Sequence, residues 1–296
     1  AHDSPFGRFN LQSYIYATNF YDNLHTAAWK KTGVILLNHD ESTEKRQSSL
    51  LEKRSDGMIY QYVNCDEATE ISGIKLELNG LLYKDAGYIL PNEICRFLID
   101  SPKINLFTSS EVKNLSTSKG ITSFTVNEKD YEYKDVCLCA GSDTSKLIEV
   151  EGFNRKRGQV THIKTRDNIS NIKLPVCAKG YISPQVNDLH IVGSSYSDED
   201  HAELTEEEHL SNLRNLRLIY DDDVVVDSGR AGLRAVSKDH MPIVGEKDGI
   251  YINTCHGSRA SVTAPISAEI ISNLIANEAP PIMKRELEHL SPKRFN

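Results

Sequence analysis

The 296 residues include 17 glycines, yet no two of them stand in a Gly-x-Gly arrangement. A glycine-rich strand–turn–helix of the kind that cradles a dinucleotide pyrophosphate is therefore not encoded here. Cysteine is sparse and badly spaced for metals. The six cysteines, at 65, 95, 137, 139, 177 and 255, offer no CxxC pair and no Cys/His ligand spacing. No metal site is expected, and free thiols fit a reducing, cytoplasmic setting. Cys137 and Cys139 stand two apart in an apolar run and share a face, which reads as core packing. No apolar run approaches a bilayer-spanning length, and the first residues lack a basic-then-apolar leader, so no membrane association is expected. Positive charge is also short: 34 Lys and Arg against 42 Asp and Glu leave a net −8. That balance argues against a surface that coats nucleic acid.

What is present centres on residues 249–275. The run 249–255 (Gly-Ile-Tyr-Ile-Asn-Thr-Cys) is β-branched and aromatic, as a buried strand requires. His256-Gly257-Ser258 breaks it. Residues 261–275 then read as a helix, with Val262, Ile266, Ile270 and Leu274 four apart and Pro265 in the first turn, where proline is tolerated. A strand passing through a glycine turn into a helix start aims free N–H groups and a positive dipole end at one point. Such a point suits a phosphate or another electron-rich group, although many such units bind nothing.

Along the rest of the chain, 11–24 carries a helical apolar pattern and 33–38 a strand. A charged helix over 42–53, a strand over 58–63 and a helical turn over 66–72 ending at Gly73 follow. Residues 81–89 read as a strand pair around Lys84–Gly87, running into Pro91 at the start of a helix over 92–99. The segments 104–107, 111–115, 121–126 and 131–133 read as an antiparallel meander. Residues 135–141 form a continuous apolar strand ending in Ala140-Gly141, with a helix opening over 142–147. The basic run 154–158 reads either as a solvated loop or as the turn before a ligand-lining strand at Gly158-Gln159. Strands at 160–163, 181–183 and 189–193 belong to a larger antiparallel sheet. A helix over 206–220 has Leu210, Leu213 and Leu216 on one side. The strand 224–237 carries Arg230 and Arg234, and 280–296 adds a short helix.

The order of residues 229–245 (Gly-Arg-Ala-Gly-Leu-Arg-Ala-Val-Ser-Lys-Asp-His-Met-Pro-Ile-Val-Gly) resembles the C-terminal signature of the D-amino-acid-oxidase superfamily of FAD enzymes. His256-Gly257-Ser258-Arg259 with Thr263, Pro265 and Glu269 is similar to one branch of it. That branch is the FAD-dependent oxidase half of the bifunctional enzymes that complete 5-methylaminomethyl-2-thiouridine on tRNA. Further matches lie at His2-Asp3, 19–24, 87–91, 157–163, 180–184, 193–196 and 290–294, so the resemblance spans the chain.

The resemblance implies a mixed α/β fold. A partial FAD-binding three-layer domain (1–30, 80–150 and 236–296) is interleaved with an antiparallel-sheet substrate domain (31–79 and 151–235). FAD is the implied cofactor, lined by Gly87, Ala140, Gly141, Gly158, Gln159, Gly257, Ser258, Arg259, Ala260 and Ser261. The missing glycine fingerprint places the start of these residues after the family's pyrophosphate-binding unit, so this polypeptide alone is expected to hold FAD weakly or not at all. Arg234 matches the position that holds a substrate carboxylate, with an internal ion pair as the alternative. Arg259 is implied beside flavin or substrate. Ala260, where the branch carries glycine, puts the close approach there in question. Tyr181 is either a pocket hydroxyl or a packed ring, and His256 either donates to the flavin or caps its own turn. Asp239 fixes its own turn.

The implied reaction is FAD-dependent oxidation at the CH–NH of a secondary amine: removal of the carboxymethyl group from carboxymethylaminomethyl-uridine at the tRNA wobble position. The implied partners are that tRNA, a methyltransferase domain and the missing nucleotide-binding segment. A glycine or D-amino-acid oxidase and a non-catalytic remnant lacking FAD are the other readings. His-Gly-Ser-Arg speaks against the first, and retention of Arg234, Gly257 and Arg259 against the second.

Overall fold

The computed structural model describes residues 4–53 and 57–295; His2 and Asp3, which open the resemblance, lie outside them. Two compact units emerge. One comprises Ala1–Leu24, Cys95–Lys156 and Leu233–Asn296, the other His25–Ile94 and Arg157–Gly232. Residues 80–94 therefore belong with the second unit rather than with the expected FAD-binding set. The reason is register: β4 (Gly80–Tyr83) pairs antiparallel with β2 (Val34–Leu37), Val34 opposite Tyr83 and Leu37 opposite Gly80. Gly80 is required there because a Cβ would overlap the Leu36 carbonyl.

The second unit is built on an eight-stranded mixed sheet. Its order is β14 (Val226–Ser237), β10 (Phe153–Lys164), β13 (Leu189–Gly193), β12 (Tyr181–Ile182), β11 (Val176–Cys177), β2, β4 and β3 (Gln61–Val63). The expected antiparallel sheet is thus larger and not purely antiparallel, since β11 runs parallel to β2. Ile35, Leu37, Ile163, Val176 and Ile182, each at most 1% exposed, form its centre. Each contributes roughly 1.5–3 kcal/mol by leaving water. Helix α2 (Glu41–Lys53) and α3 (Cys65–Ser72) lie in the same unit. At α3 a capping box sets the start: Asn64 Oδ1 accepts from the Asp66 and Glu67 N–H groups, and Glu67 accepts from the Asn64 N–H. Gly73 ends it at φ 82°. The expected 81–89 hairpin does not form, because β5 (Tyr88–Ile89) pairs with β1 (Trp29–Lys30) instead. Helix α6 (Glu206–Leu216) is shorter than expected; it buries Leu216 while Leu210 stays exposed.

In the first unit, α1 (Pro5–Leu24) packs on α7 (Ala260–Ala276). The core there is Phe9, Val244, Ile266, Ile270 and Leu290, the last from α8 (Lys284–Leu290). A three-stranded sheet orders β15 (Ile243–Lys247), β16 (Ile250–Thr254) and β9 (Cys137–Leu138), with β9 parallel to β16. The apolar run 135–141 is thus strand only at its middle. The meander keeps three strands, β6 (Val112–Ser118), β7 (Ile121–Val126) and β8 (Lys129–Tyr133). Residues 104–107, expected as a fourth, are irregular, with Leu106 and Phe107 strongly exposed. Helix α4 (Pro91–Ile99) starts at its proline, as expected.

Candidate active site

Parallel pairing of β9 with β16 brings the C-terminal ends of two strands side by side. After β9 the chain turns at Ala140 and Gly141, with Gly141 at φ 55°, into a 3-10 turn and α5 (Thr144–Leu147). After β16 it turns at Gly257, φ 57°, through a second 3-10 turn into α7. Both glycines occupy left-handed backbone that a side chain would strain. Two threonine hydroxyls staple the ends together: Thr254 donates to the Gly141 carbonyl at 3.3 Å, and Thr144 donates to Thr254 at 3.2 Å. Neither threonine was singled out from the sequence; a hydroxyl closing an apolar strand was the available sign. No side chain caps the start of α7, so its dipole end and first N–H groups remain available to an electron-rich group.

Arg259 is the residue before α7, and its side chain is engaged within the fold. Its Nη2 donates to the His240 carbonyl at 2.8 Å, and its guanidinium lies 4.5 Å from the centroid of the Phe6 ring. The side chain ties the α7 start to the turn between β14 and β15, which is a structural anchor. Ala260 sits in ordinary right-handed helix, φ −54°, and is exposed, so the missing glycine costs nothing there. Ser258 and Ser261 are also exposed.

Helix α7 begins one residue earlier than expected, which moves Pro265 beyond the first turn. Proline has no N–H to give the Ser261 carbonyl. Tyr21 supplies the missing donor, its hydroxyl reaching that carbonyl at 2.7 Å. Burial pushes the Tyr21 phenol up to about 12, so it stays a donor.

His256 closes its own turn. Its Nδ1 lies 2.8 Å from Thr263 Oγ1 and its Nε2 2.9 Å from Asn253 Oδ1. In its neutral form the ring engages both partners, while the Thr263 hydroxyl also donates to the Arg259 carbonyl at 3.0 Å. Burial lowers the imidazole to about 4, which keeps this neutral form. Of the two readings, capping is the one the side chain performs.

Arg234 lies on β14, on the face opposite the buried Ala235. Val236 shares its face and forms an isolated antiparallel bridge with His256. A Cβ on Gly257 would approach Val236 Cγ1 to 3.3 Å. Arg234 is thus delivered two residues, ~6–7 Å of strand, from the Gly257 turn.

Asp239 fixes its turn as expected, Oδ1 accepting from Ser237 Oγ at 2.8 Å and from the Met241 N–H at 3.0 Å. It also takes a bidentate Arg294, with Nε to Oδ2 at 2.8 Å and Nη2 to Oδ1 at 2.9 Å. Burial alone would raise this carboxyl, but Arg294, Met241 and Ser237 together hold it below its ordinary value.

The remaining expected residues lie in the second unit. Gly87 is small because a Cβ would overlap the Lys30 carbonyl, so its own backbone explains it. Gly158 is buried within β10. Gln159 is fully buried and its amide is consumed: Nε2 donates to the Thr205 carbonyl at 2.8 Å, and Oε1 accepts from the Thr205 N–H at 2.9 Å. Neighbouring Arg157, also fully buried, pairs with Glu208. The basic run 154–158 is therefore neither a solvated loop nor a turn, because it is the first half of β10. Tyr181 sits half-buried on β12 opposite Gly193, its ring against that glycine.

Two parallel strand ends, each leading through a left-handed glycine to a helix start, are an arrangement that suits the edge of an electron-rich cofactor. The chain belongs to the FAD dependent oxidoreductase (DAO) family, which matches residues 3–274. It is an FAD-dependent oxidoreductase of mixed α/β fold. A tRNA 5-methylaminomethyl-2-thiouridine biosynthesis bifunctional protein MnmC from Legionella pneumophila (strain Corby) is 30% identical over 99% of this chain and 49% of that protein. One of the same name from Ectopseudomonas mendocina is 28% identical over the whole chain and 51% of that protein. The chain thus spans about half the length of these relatives. Among solved structures, glycine oxidase from Geobacillus kaustophilus superposes with a TM-score of 0.85 at 17% identity, covering 99% of this chain and 84% of that one. L-Proline dehydrogenase from P. horikoshii gives 0.82 at 16%, covering 97% and 82%. Among the described residues, no helix is long and apolar enough to cross a membrane, and no group of three or more His, Cys, Asp or Glu is placed to hold a metal.

The residues present fit the flavin side of FAD. Gly141, Gly257 and the α7 start, which no side chain caps, offer small surface and a positive helix end. The pyrophosphate side is unprovided for, since no Gly-x-Gly occurs.

Proposed function

We propose that this chain carries the flavin-side and substrate-side parts of an oxidase that removes the carboxymethyl group from 5-carboxymethylaminomethyl-uridine at the tRNA wobble position. The reading is supported by the role in the relatives' names, taken with the position of Arg234 on the strand whose Val236 bridges His256. The chemistry that FAD would supply when held at the Gly141 and Gly257 turns is hydride acceptance from the carboxymethyl methylene, the amine proton leaving to solvent. The resulting imine takes up water and separates into the aminomethyl base and glyoxylate.

The residues have positioning work to do. Arg234 offers a carboxymethyl carboxylate two parallel N–H bonds, which fixes the methylene in place. Gly257 leaves room above the turn, and the α7 start favours negative charge nearby. Neutral His256 holds the turn shape through Asn253 and Thr263 and contributes no proton. Ala140 and Gly141 complete the proposed lining beside the Gly257 turn. A tRNA substrate implies a cytoplasmic setting, and a methyltransferase domain is the proposed partner that consumes the aminomethyl product.

Reconstituted with an upstream nucleotide-binding segment and loaded with FAD, the protein should release glyoxylate from tRNA bearing the carboxymethylaminomethyl group and barely turn over free glycine or sarcosine. Comparable rates on the free amino acids would transfer the proposal to a glycine-oxidase-type activity.

A further inference from the structure

The thiols of Cys137 and Cys139 were expected in the core, and the structure puts them on the surface. Both residues are exposed, while Leu138 between them is buried on the other face of β9. With Cys137 opening β9 and Cys139 just past its end, their sulfurs stand 3.5 Å apart. The contact between the two thiols lowers the proton affinity of Cys139 and raises that of Cys137. One sulfur is thus biased toward thiolate, the nucleophilic form.

The spacing suits one soft centre held by both sulfurs. Two thiolates ~2.3 Å from a tetrahedral ion stand ~3.8 Å apart, close to the distance seen here. A direct disulfide suits the strand less well. Residues i and i+2 of extended chain have Cα atoms ~6.6 Å apart, at the far end of the disulfide range. Among the described residues no third His, Cys, Asp or Glu completes a ligand group, so a closed structural metal site does not form. A centre that brings its own remaining substituent has no such need.

We propose that Cys137 and Cys139 form a bidentate dithiol site for a trivalent metalloid, of which a monosubstituted arsenical is the type. The reaction balances without redox change: R–As=O and two thiols give R–As(S–Cys)2 and one water. Two As–S bonds form, the As=O bond is lost, both thiol protons leave in the water, and arsenic stays trivalent. The other cysteines do not compete as pairs. Cys177 and Cys255 have thiols pushed up to about 12 by burial, and no sulfur pairing is seen for Cys65 or the exposed Cys95.

The test treats the whole chain with one equivalent of phenylarsine oxide and follows intact mass, then maps the adduct by proteolysis. One adduct per chain is expected, on the peptide containing both 137 and 139, reversible by a small dithiol. Cys137→Ser and Cys139→Ser should each weaken capture on the order of a hundred-fold, because the second bond is intramolecular; Cys95→Ser should change nothing. Mapping on the unmutated protein keeps the result independent of whether a variant folds. An adduct that survives Cys139→Ser, that maps to Cys95, or that never forms on folded protein overturns the proposal.

Discussion

The turn between β14 and β15 is held by one arginine near the end of the described chain, and replacing Arg294 with methionine should measure that hold. Its side chain is 7% exposed and Asp239 39%. Besides the two bonds to Asp239, Nη2 donates to the Met241 carbonyl at 2.9 Å and Nη1 to the Leu290 carbonyl at 3.0 Å. Methionine keeps the stem packing and removes every donor. A lost hydrogen bond to a charged partner costs ~1.5–3 kcal/mol and each carbonyl left without its donor ~1 kcal/mol, but these are not additive, and water can reach Asp239. A loss of about 2–3 kcal/mol is expected, which lowers Tm by ~3–5 °C in a chain of this size. Asp239→Asn keeps the acceptor for Ser237 and Met241, so ~1 kcal/mol is expected, and the double variant should fall short of the sum. The acid limb is a second readout. Because the folded-state value of Asp239 is depressed, its contribution is present above its ordinary value near ~3.9 and is lost as pH falls below that. Thermal melts between pH 7 and 3 should show a steeper acid loss for the wild type than for Asp239→Asn. An Arg294→Met melt within a degree of wild type, or identical acid slopes, would refute the clasp.

His256 titrates in a different window. Its folded-state value, about 4, lies below the ordinary ~6.5. The unfolded chain therefore binds the proton first, and stability should decline from about pH 6.5 to about pH 4, a slope absent in His256→Gln melts. Gly257→Ala forces left-handed backbone on a residue with a Cβ and presses on Val236; a loss of ~1–2 kcal/mol by denaturant titration is expected. Arg234→Met in FAD-loaded enzyme should lower kcat/KM ten- to a hundred-fold with little change in Tm, and lysine should recover only part. A matching loss of Tm, with kinetics falling only in step with folding, would make Arg234 an internal ion-pair residue. The 296-residue polypeptide by itself should titrate with FAD only weakly, and stoichiometric flavin absorbance in the purified chain would contradict that.

Periodicity and punctuation carried much of the fold. Gly73, Pro91, Gly257 and the four-residue spacing of Val262, Ile266 and Ile270 are local signals, and each marks a turn or helix whose cause is local: left-handed backbone, a fixed φ, one apolar stripe. The order of residues 229–245 carried the family, because that pattern needs no three-dimensional information. Pairing did not show. Alternation in 81–89 predicts strands but not partners, so the choice of β2 over a local hairpin, and with it the unit to which residues 80–94 belong, came from long-range register. Side-chain employment was equally hidden. For Arg259 the partners are a carbonyl and a ring brought from 19 and 253 residues away, which no local pattern announces. Gln159 looked open for a ligand until Thr205 folded over it, and Pro265 looked harmless until Tyr21 supplied the donor it lacks. Cys137 and Cys139 shared a face by sequence alone, but only the sheet decided that the face points outward.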